Sequence, residues 1–403
     1  MSTRAALAVR AHASQDIDLL DLAARLEKPI VWLNGGDGMV AAGEAARIDA
    51  GSGDDRFPRA AAALREVFAG MDVAPEARAV AFGSFAFDPA SDDSVLVVPA
   101  VVWGRRGGRS WVTTIGDTDP ASLLRPRSPG SAARVRYGGS TISELAWLDA
   151  VAAAVERIRS GKAQKTVLAR DVLVWSKEPF DVPLLLRRLA GRFPGCFTFS
   201  CDGLIGATPE LLVSRAWERV RSIVLAGTVA RGDEAAADES LARGLMTSEK
   251  DLAEHAFAAD SVADPLRTVC ADLVVEGPTL LRLANAQHLS TRVEGRLTTG
   301  ATALDLAGML HPTAAVCGTP RAEAMQLIRD LEGMGRGRYS GPVGWVDSAG
   351  DGEWGIALRC GEFEGTRGRL FAGNGIVAAS EPEDELEETR VKLRAMMSAL
   401  ERA

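Results

Sequence analysis

Two short acidic segments carry side chains that could bind a divalent cation. Asp251 and Glu254 stand three residues apart in SEKDLAEH, and Glu385 and Glu388 have the same spacing in EPEDELEETRVKL. On a helix, residues three apart are neighbours, so the two carboxylates of each pair repel each other by a few tenths of a kcal/mol. If the pairs face each other, Mg²⁺ would offset the repulsion, because this hard cation prefers oxygen ligands. The alternative is two ordinary acidic helix starts, which the helix dipole favours.

Lys165 and Glu210 could transfer protons. Lys165 begins the apolar stretch KTVLARDV, where a strand would enter the interior. Burial disfavours the charged form of a lysine, and such a residue can accept a proton. Glu210 lies between Pro209 and two leucines in TPELL, where loss of solvent would raise its pKa and suit a general acid. The plainer alternatives are a lysine whose amine reaches solvent and an acid in a turn.

Three glycine-containing stretches, LAGTVARG, RYSGPVGW and FAGNGIV, suit close approach of a ligand to the backbone. Glycine lets backbone N–H groups reach an anion, although a bulge or a tight turn explains glycine equally well. The candidate positions are Gly227, Thr228, Tyr339, Gly373 and Gly375.

The surrounding pattern predicts a mixed α+β protein with large antiparallel sheets. Short apolar segments separated by loops fill the first 130 residues, which is typical of antiparallel strands. They are PIVWLNGGDGMVAAG, AVAFGSFAFDP, SVLVVPAVVWGRRGG and SWVTTIG. The stretch RPRSPGSAAR, around residues 125 to 133, is the best candidate for an internal boundary.

Helices and one hairpin are predicted for the remainder. TISELAWLDAVAAAVERIRSG is a helix opened by a capping box of Thr141 and Glu144. Long helices are also expected over TSEKDLAEHAFAADSVADPLRTVC and from the C-terminal acidic segment onward. GRYSGPVGWVDSAGDGEWGIALRCGEF predicts a hairpin that turns at Asp351-Gly352 and carries Arg359 inward on its second strand. An inward arginine would bind a carboxylate.

Composition limits the classes of partner. The 403 residues are 47% hydrophobic and 25% charged, as in ordinary globular proteins. A net charge of −8 disfavours general nucleic-acid and anionic-membrane binders, because phosphate would be repelled. The five cysteines contain no CxxC pair, which predicts neither a disulfide framework nor a zinc site. Because no apolar run has signal-peptide or membrane-spanning length, we expect a soluble, cytoplasmic protein.

Several motifs occur in an order that resembles the chorismate-utilising enzymes. They are KTVLAR, TPELL, LAGT, KDLAEH, QHLSTRVEG, LHPTAAVCGTPR, YSGPVGW, IALRC and GNGIV, followed by ExxET and Lys392. The resemblance covers residues 140-395, and FDP near the N-terminus extends it weakly. It implies one domain over 1-403, with 1-130 a more variable sheet portion and 140-395 the catalytic portion. The implied fold is α+β, a single large domain of antiparallel sheets flanked by helices, as in anthranilate and isochorismate synthases.

The resemblance also assigns roles to the candidate residues. Glu254 and Glu388 are implied as direct Mg²⁺ ligands, with Asp251 and Glu385 acting mainly through water. The metal would hold the ring carboxylate of chorismate. Tyr339, Arg359 and the Gly373 to Gly375 backbone would hold the enolpyruvyl carboxylate, and Gly227, Thr228 and His288 would line the ring pocket.

Two positions select a branch of the family by resemblance. Anthranilate synthases tend to have Gln at the position of Lys165, and aminodeoxychorismate synthases tend to have Lys at that of Ala226. The resemblance therefore implies isochorismate synthesis with water as nucleophile and no glutaminase subunit. Lys165 would be the base that activates water at C2, and Glu210 the acid that protonates the departing C4 hydroxyl.

Two alternatives stay open. Salicylate synthases share the Lys and Glu and then eliminate pyruvate, but tend to have Thr where Ala315 stands. A non-catalytic relative with a Ca²⁺-responsive or protein-binding acidic surface would be expected to lack at least one of the key residues. Departures from the family pattern are Asn374, usually Ala, and Asp251, usually Glu. The resemblance does not decide between menaquinone and siderophore synthesis, or between a monomer and a homodimer.

Overall fold

Alternating apolar residues build two large sheets in the computed structural model, which describes residues 6–126, 134–232, 234–283 and 286–401. The described strands are β1 (Leu7–Ser14), β2 (Ile30–Asn34), β3 (Asp37–Ala42), β4 (Ala46–Asp49), β5 (Met71–Val73), β6 (Val80–Ser84), β7 (Val95–Val98), β8 (Val101–Arg106), β9 (Arg109–Ile115), β10 (Arg136–Tyr137), β11 (Lys165–Trp175), β12 (Phe197–Cys201), β13 (Leu204–Thr208), β14 (Leu211–Ala216), β15 (Arg219–Ala230), β16 (Cys270–Arg282), β17 (Ala286–Leu297), β18 (Gly318–Thr319), β19 (Pro342–Asp347), β20 (Gly352–Ile356), β21 (Cys360–Glu364) and β22 (Arg367–Ile376). The described helices are α1 (Leu19–Ala23), α2 (Arg56–Ala69), α3 (Glu144–Arg159), α4 (Val182–Arg192), α5 (Ala235–Thr247), α6 (Glu249–Arg267), α7 (Ala303–Leu310), α8 (Arg321–Leu331) and α9 (Pro382–Leu400), with a 3₁₀ turn at Pro120–Leu123.

The two sheets interleave early and late parts of the chain. The 13-stranded sheet has the order β10-β11-β22-β21-β13-β12-β2-β3-β8-β9-β1-β5, with β18 added to β11. The nine-stranded sheet has the order β16-β17-β15-β14-β20-β19-β6-β7-β4. Among the strands described, the pairings are antiparallel except for β1 with β5. The predicted α+β architecture of antiparallel sheets flanked by helices is confirmed.

The two acidic segments begin helices, as predicted. Ser248 caps α6 by accepting a hydrogen bond from the backbone N–H of Asp251. The α6 helix is fastened to the nine-stranded sheet by His255, whose ring contacts Ala226 O at 3.1 Å and Thr291 Oγ1 at 2.7 Å. The other acidic helix, α9, packs on β22 through buried residues such as Leu393. Each acidic first turn is therefore attached to a different sheet.

Two short crossovers carry the chain from one sheet to the other. Residues 209–210 connect β13 of the larger sheet to β14 of the smaller, and residues 357–359 connect β20 back to β21. The backbone N–H of Ile356 donates to Glu210 O at 3.2 Å, and that of Ala207 donates to Arg359 O at 3.2 Å. The expectation that Arg359 belongs to a strand is therefore wrong. It occupies a bend with a φ of 48° in the crossover of residues 357–359, and Glu210 lies in the other crossover.

Some local expectations are also corrected. Ser143, not Thr141, caps α3, because the Thr141 hydroxyl and N–H instead bind the buried carboxylate of Asp171. The β19–β20 hairpin is confirmed, but residues 348–351 form its turn and Gly352 already belongs to β20. The N-terminal pattern also missed α2. Of the predicted boundary loop at residues 125 to 133, residues 127–133 lie outside the described part. Among the described helices, none combines the length and apolar character needed to cross a membrane.

A fully buried ion pair ties the strand of Lys165 to its surroundings. Arg336 donates to both carboxylate oxygens of Glu332 at 2.7 and 2.6 Å, and each side chain is 1% exposed. The same guanidinium donates to Val316 O at 2.9 Å and to Val167 O at 2.7 Å. Glu332 in turn accepts from the backbone N–H of Ala169 at 2.8 Å. The pair therefore fixes β11 against the loop that contains Ala315.

Replacement of one member of this pair should destabilise the fold. In Glu332→Gln, Arg336 keeps its buried charge without a counter-ion, and such a change costs about 3–5 kcal/mol. The matched control is Asp330→Asn, which breaks a partly exposed ion pair with Arg157 and should destabilise the fold far less, because water screens such a pair. Urea unfolding of both variants measures the difference, and equal losses of stability would contradict the assignment.

Candidate active site

One cavity collects the predicted residues from both sheets and from α6 and α9. It is lined by Glu210, Gly227, Thr228, Asp251, Glu254, His288, Ala315, Tyr339, Arg359, Gly373, Gly375, Glu385 and Glu388. Of the predicted set, Lys165 alone is not part of the lining. It is fully buried, and its Nζ lies 2.8 Å from Glu254 Oε1. Lys165 is therefore next to the lining through its contact with Glu254.

Gly375 makes room for this ion pair. A Cβ atom at Gly375 would lie 2.3 Å from Glu254 Oε1 and 2.7 Å from Lys165 Cε. The β11–β22 register places Gly375 opposite Val167, two residues along from Lys165. Only a residue without a side chain allows the lysine and the glutamate to meet here.

Lysines pair with three of the four acidic side chains. In addition to the Lys165–Glu254 contact, Lys392 Nζ lies 2.8 Å from Glu388 Oε1, and Lys250 Nζ lies 3.7 Å from Glu385 Oε1. Sequence reasoning assigned no role to Lys250 or Lys392. Lys392 follows Glu388 by four residues and therefore lies on the same helix face, a spacing that could have identified it. Lys250 directly precedes Asp251, and its contact with α9 depends on the tertiary fold.

The carboxylates still repel one another. Burial raises the pKa of Asp251, and the nearby charges of Glu254 and Glu388 raise it further. Burial, followed by the charge of Glu388, likewise raises the pKa of Glu385. Burial alone would raise the pKa of Glu254 too, but attraction to Lys165 and to the other lysines leaves it below its ordinary value. Positive charge is thus what this part of the cavity requires.

The donor set fits Mg²⁺ in chemistry, although it is not a preformed cage. Four carboxylates on two helices supply hard oxygen atoms, which Mg²⁺ binds while it keeps several waters. Within the described residues, no three His, Cys, Asp or Glu side chains are grouped closely enough to enclose a metal ion. The arrangement therefore suits a cation held partly through water.

Glu210 is a buried carboxyl group held in its neutral form. Its side chain is 3% exposed, and burial raises its pKa to about 8 despite the attraction of Lys165, Arg359 and Lys392. The short crossover between β13 and β14 removes it from solvent. A carboxylic acid that is still protonated at neutral pH can give a proton to a leaving group.

Arg359 presents an unused hydrogen-bond donor. One guanidinium nitrogen, Nη2, lies 3.0 Å from His288 Nε2, and His288 Nδ1 lies 2.9 Å from Thr228 Oγ1. Since arginine can only donate, Nε2 must accept and the ring proton belongs on Nδ1. Burial and the charge of Arg359 hold the pKa of His288 well below its ordinary value, in agreement with a neutral ring. The buried Nη1 has no hydrogen-bond partner among the described residues, so it is available to an anionic ligand.

Tyr339 adds a second donor near the glycine strand. Its ring stacks on Phe371 with centroids 5.1 Å apart, and burial raises the pKa of its hydroxyl, which therefore stays protonated. A Cβ atom at Gly373 would lie 3.2 Å from the tyrosine oxygen. Gly227, which also lines the cavity, has a φ of 75° at a bulge in β15, immediately before Thr228. The cavity thus combines a neutral acid, cationic and hydroxyl donors, and a cluster of carboxylates.

Comparison with known proteins shows the family to which this chain belongs. The model of the family described as "Chorismate binding enzyme" matches residues 4–401. This chain belongs to the chorismate-binding enzymes. Isochorismate synthase DhbC of Bacillus subtilis is 45% identical to this chorismate-binding enzyme over 257 residues, which are 60% of the chain and 65% of that relative. The match thus spans slightly less than two thirds of the relative's length.

Two solved structures have the same fold as this chorismate-binding enzyme. The putative 2,3-dihydroxybenzoate-specific isochorismate synthase of Bacillus anthracis superimposes with a TM-score of 0.80 at 32% identity, over 95% of this chain and 98% of that one. The menaquinone-specific isochorismate synthase MenF of Escherichia coli superimposes with a TM-score of 0.84 at 26% identity, over 98% and 96% of the two chains. The likeness extends over the N-terminal strands as well as the motif-rich part.

The protonation of Glu210 should make stability depend on pH. Because its pKa rises from 4.5 to about 8 on folding, the folded chain keeps a proton that the unfolded chain releases. The contribution of Glu210 to the free energy of unfolding is present below pH 4.5 and decreases up to pH 8, by at most about 1.4 kcal/mol per pH unit. Urea unfolding between pH 5 and 8 should show the wild type losing stability relative to Glu210→Gln. A constant difference, or one of opposite sign, would contradict a neutral Glu210.

Proposed function

We propose that the protein is an isochorismate synthase, an isomerase that converts chorismate reversibly to isochorismate with Mg²⁺. Water would add at C2 of the ring and the C4 hydroxyl would leave. The observation that carries the proposal is the neutral, buried Glu210 in the same cavity as the acidic helices and the unpartnered guanidinium nitrogen of Arg359. The isochorismate synthases similar to this chain give the proposal its substrate.

Glu210 and Lys165 divide the proton transfers in this proposal. Glu210 protonates the departing C4 hydroxyl, for which its pKa of about 8 is suited. Lys165 takes the proton from the attacking water. To act as this base, Lys165 must be the neutral amine, so it must first give up its extra proton, for which Glu254 Oε1 is the acceptor in contact at 2.8 Å. The positioning of both groups by rigid strands and crossovers supplies the orientation that the displacement needs.

The remaining residues hold the dicarboxylate substrate. The free Nη1 of Arg359, the Tyr339 hydroxyl and the backbone from Gly373 to Gly375 are donors for the enolpyruvyl carboxylate. Gly227, Thr228, His288 and Ala315 line the space for the ring. The neutral His288 keeps Arg359 oriented by accepting its Nη2 proton. When bound, Mg²⁺ would supply the positive charge that attracts the ring carboxylate, with Glu254, Glu388, Asp251 and Glu385 as its holders.

The proposal has consequences for partners and organisation. Water as nucleophile requires no glutaminase subunit and no nucleic acid, and residues 1–403 act as one chorismate-binding unit because both sheets contain early and late strands. A cytoplasmic location belongs to the proposal, and the free thiols of the five cysteines are compatible with it. The proposal names no pathway for the isochorismate. One of the two solved relatives is described as specific for 2,3-dihydroxybenzoate and the other for menaquinone, so the likeness favours neither use.

Incubation of the purified protein with chorismate and Mg²⁺, followed by chromatography, tests the proposed reaction. We expect isochorismate to approach an equilibrium with chorismate, and EDTA to abolish its formation because the carboxylates would again repel the substrate. Salicylate with equimolar pyruvate would contradict the proposal and favour the lyase alternative. Turnover only with added ammonia would contradict it in favour of anthranilate synthesis.

Matched lysine variants control this experiment. Lys165→Met removes the base but keeps the length of the side chain, and the loss of one general base lowers rates by roughly 10²- to 10⁴-fold. Lys162→Met changes an exposed lysine three residues earlier and should leave the rate unchanged. Equal activity of the two variants would remove Lys165 from the mechanism.

A further inference from the structure

Asn374 connects the acidic helix α9 to the central strand of the site. It lies in β22 opposite Leu168 of β11 and is 1% exposed. Its neighbours on both sides, Gly373 and Gly375, line the cavity. The side chain itself is turned toward α9, where it meets Glu385 and Lys392.

The carboxamide of Asn374 uses all of its hydrogen-bonding groups on these two residues. Nδ2 donates to the backbone oxygen of Glu385 at 2.7 Å and to Glu385 Oε2 at 3.1 Å. Oδ1 accepts from Lys392 Nζ at 2.8 Å. A short amide side chain has two N–H donors and one oxygen acceptor, so it can hold a carboxylate and an ammonium group at once.

Both residues held in this way face the acidic pairs. With Oε2 of Glu385 bound to Asn374, its other oxygen, Oε1, is the one directed toward Lys250 on α6, 3.7 Å away. Lys392 Nζ also donates to Gly373 O at 3.0 Å and lies 2.8 Å from Glu388 Oε1. Asn374 therefore shares the orientation of Glu385 with Ser380, which also hydrogen-bonds that carboxylate. Through Lys392, Asn374 also acts on Glu388.

We propose that Asn374 is a positioning residue that orients the Glu385 carboxylate for the divalent cation of the active site. This inference rests on the proposed function in one respect, because it takes the cavity to bind Mg²⁺. Residues that orient metal-binding carboxylates typically change metal affinity by 10- to 100-fold when they are replaced. A purely structural amide would change the stability of the fold and leave cation affinity unaltered.

Calorimetric titration of the substrate-free protein with Mg²⁺ tests the proposal. Asn374→Ala should bind Mg²⁺ roughly 10-fold more weakly than the wild type or worse, because Glu385 loses the donor that holds its rotamer. Asn34→Ala, which removes an exposed amide at the end of β2, is the matched control and should bind Mg²⁺ as the wild type does. Urea unfolding shows whether each variant is folded, and Asn374→Ser, with a small polar side chain, replaces Asn374→Ala if the latter does not fold.

A double-mutant cycle separates an effect through Glu385 from a general one. In the Glu385→Gln background, Asn374→Ala should weaken Mg²⁺ binding by less than about twofold, because the carboxylate that it orients is gone. Wild-type affinity in folded Asn374→Ala, the same fold-loss in both backgrounds, or no Mg²⁺ binding by the wild type would each overturn the proposal. The chromatographic assay is independent of these binding data. If the wild type makes no isochorismate but the cycle behaves as expected, the proposed function fails while the role of Asn374 stands.

Discussion

Two helices place four carboxylates around one cavity, and their mutual repulsion must be offset whenever the protein is folded. Lysines offset part of it: Lys165 pairs with Glu254, Lys392 with Glu388, and Lys250 approaches Glu385. Burial strengthens the attraction between Lys165 and Glu254 most, because this lysine is fully buried, and it also raises the cost of any buried acid left unpaired. Burial first, and the neighbouring carboxylates second, raise the pKa of Asp251 and Glu385, and a divalent cation would offset both effects.

The scaffold keeps these charges apart and aligned. Helix α6 is attached to the smaller sheet through His255, and α9 packs on β22 of the larger sheet. Two hydrogen-bonded crossovers between the sheets place Glu210 and Arg359 on the same cavity. The buried pair of Glu332 and Arg336 holds β11, and with it Lys165, against the loop of Ala315. Because Glu210, Lys165 and Arg359 come from different elements, the fold keeps a neutral acid and an anion donor on the cavity while Lys165 stays paired with Glu254.

The sequence predicted those helices and strands whose formation depends on residues close together in the chain. Helix α6, the acidic start of α9 and the strand that begins at Lys165 follow from periodicity and capping, and the motif resemblance predicted the residues that line the cavity. The features that were missed depend on partners far along the chain. Thr141 binds Asp171 instead of capping α3, Arg359 lies on a crossover, and Lys250 and Asn374 make their contacts with α9 only in the folded state. Spacing along the chain carries no information about such contacts.

The most direct test of the cation-dependent water addition is to incubate the protein with chorismate in H₂¹⁸O, with Mg²⁺ or with EDTA, and to analyse the product by mass spectrometry. The account predicts isochorismate that carries one ¹⁸O atom in its new ring hydroxyl, formed only when Mg²⁺ is present. Unlabelled isochorismate would contradict water as the nucleophile. Labelled isochorismate formed equally well in EDTA would contradict the role assigned to the four carboxylates.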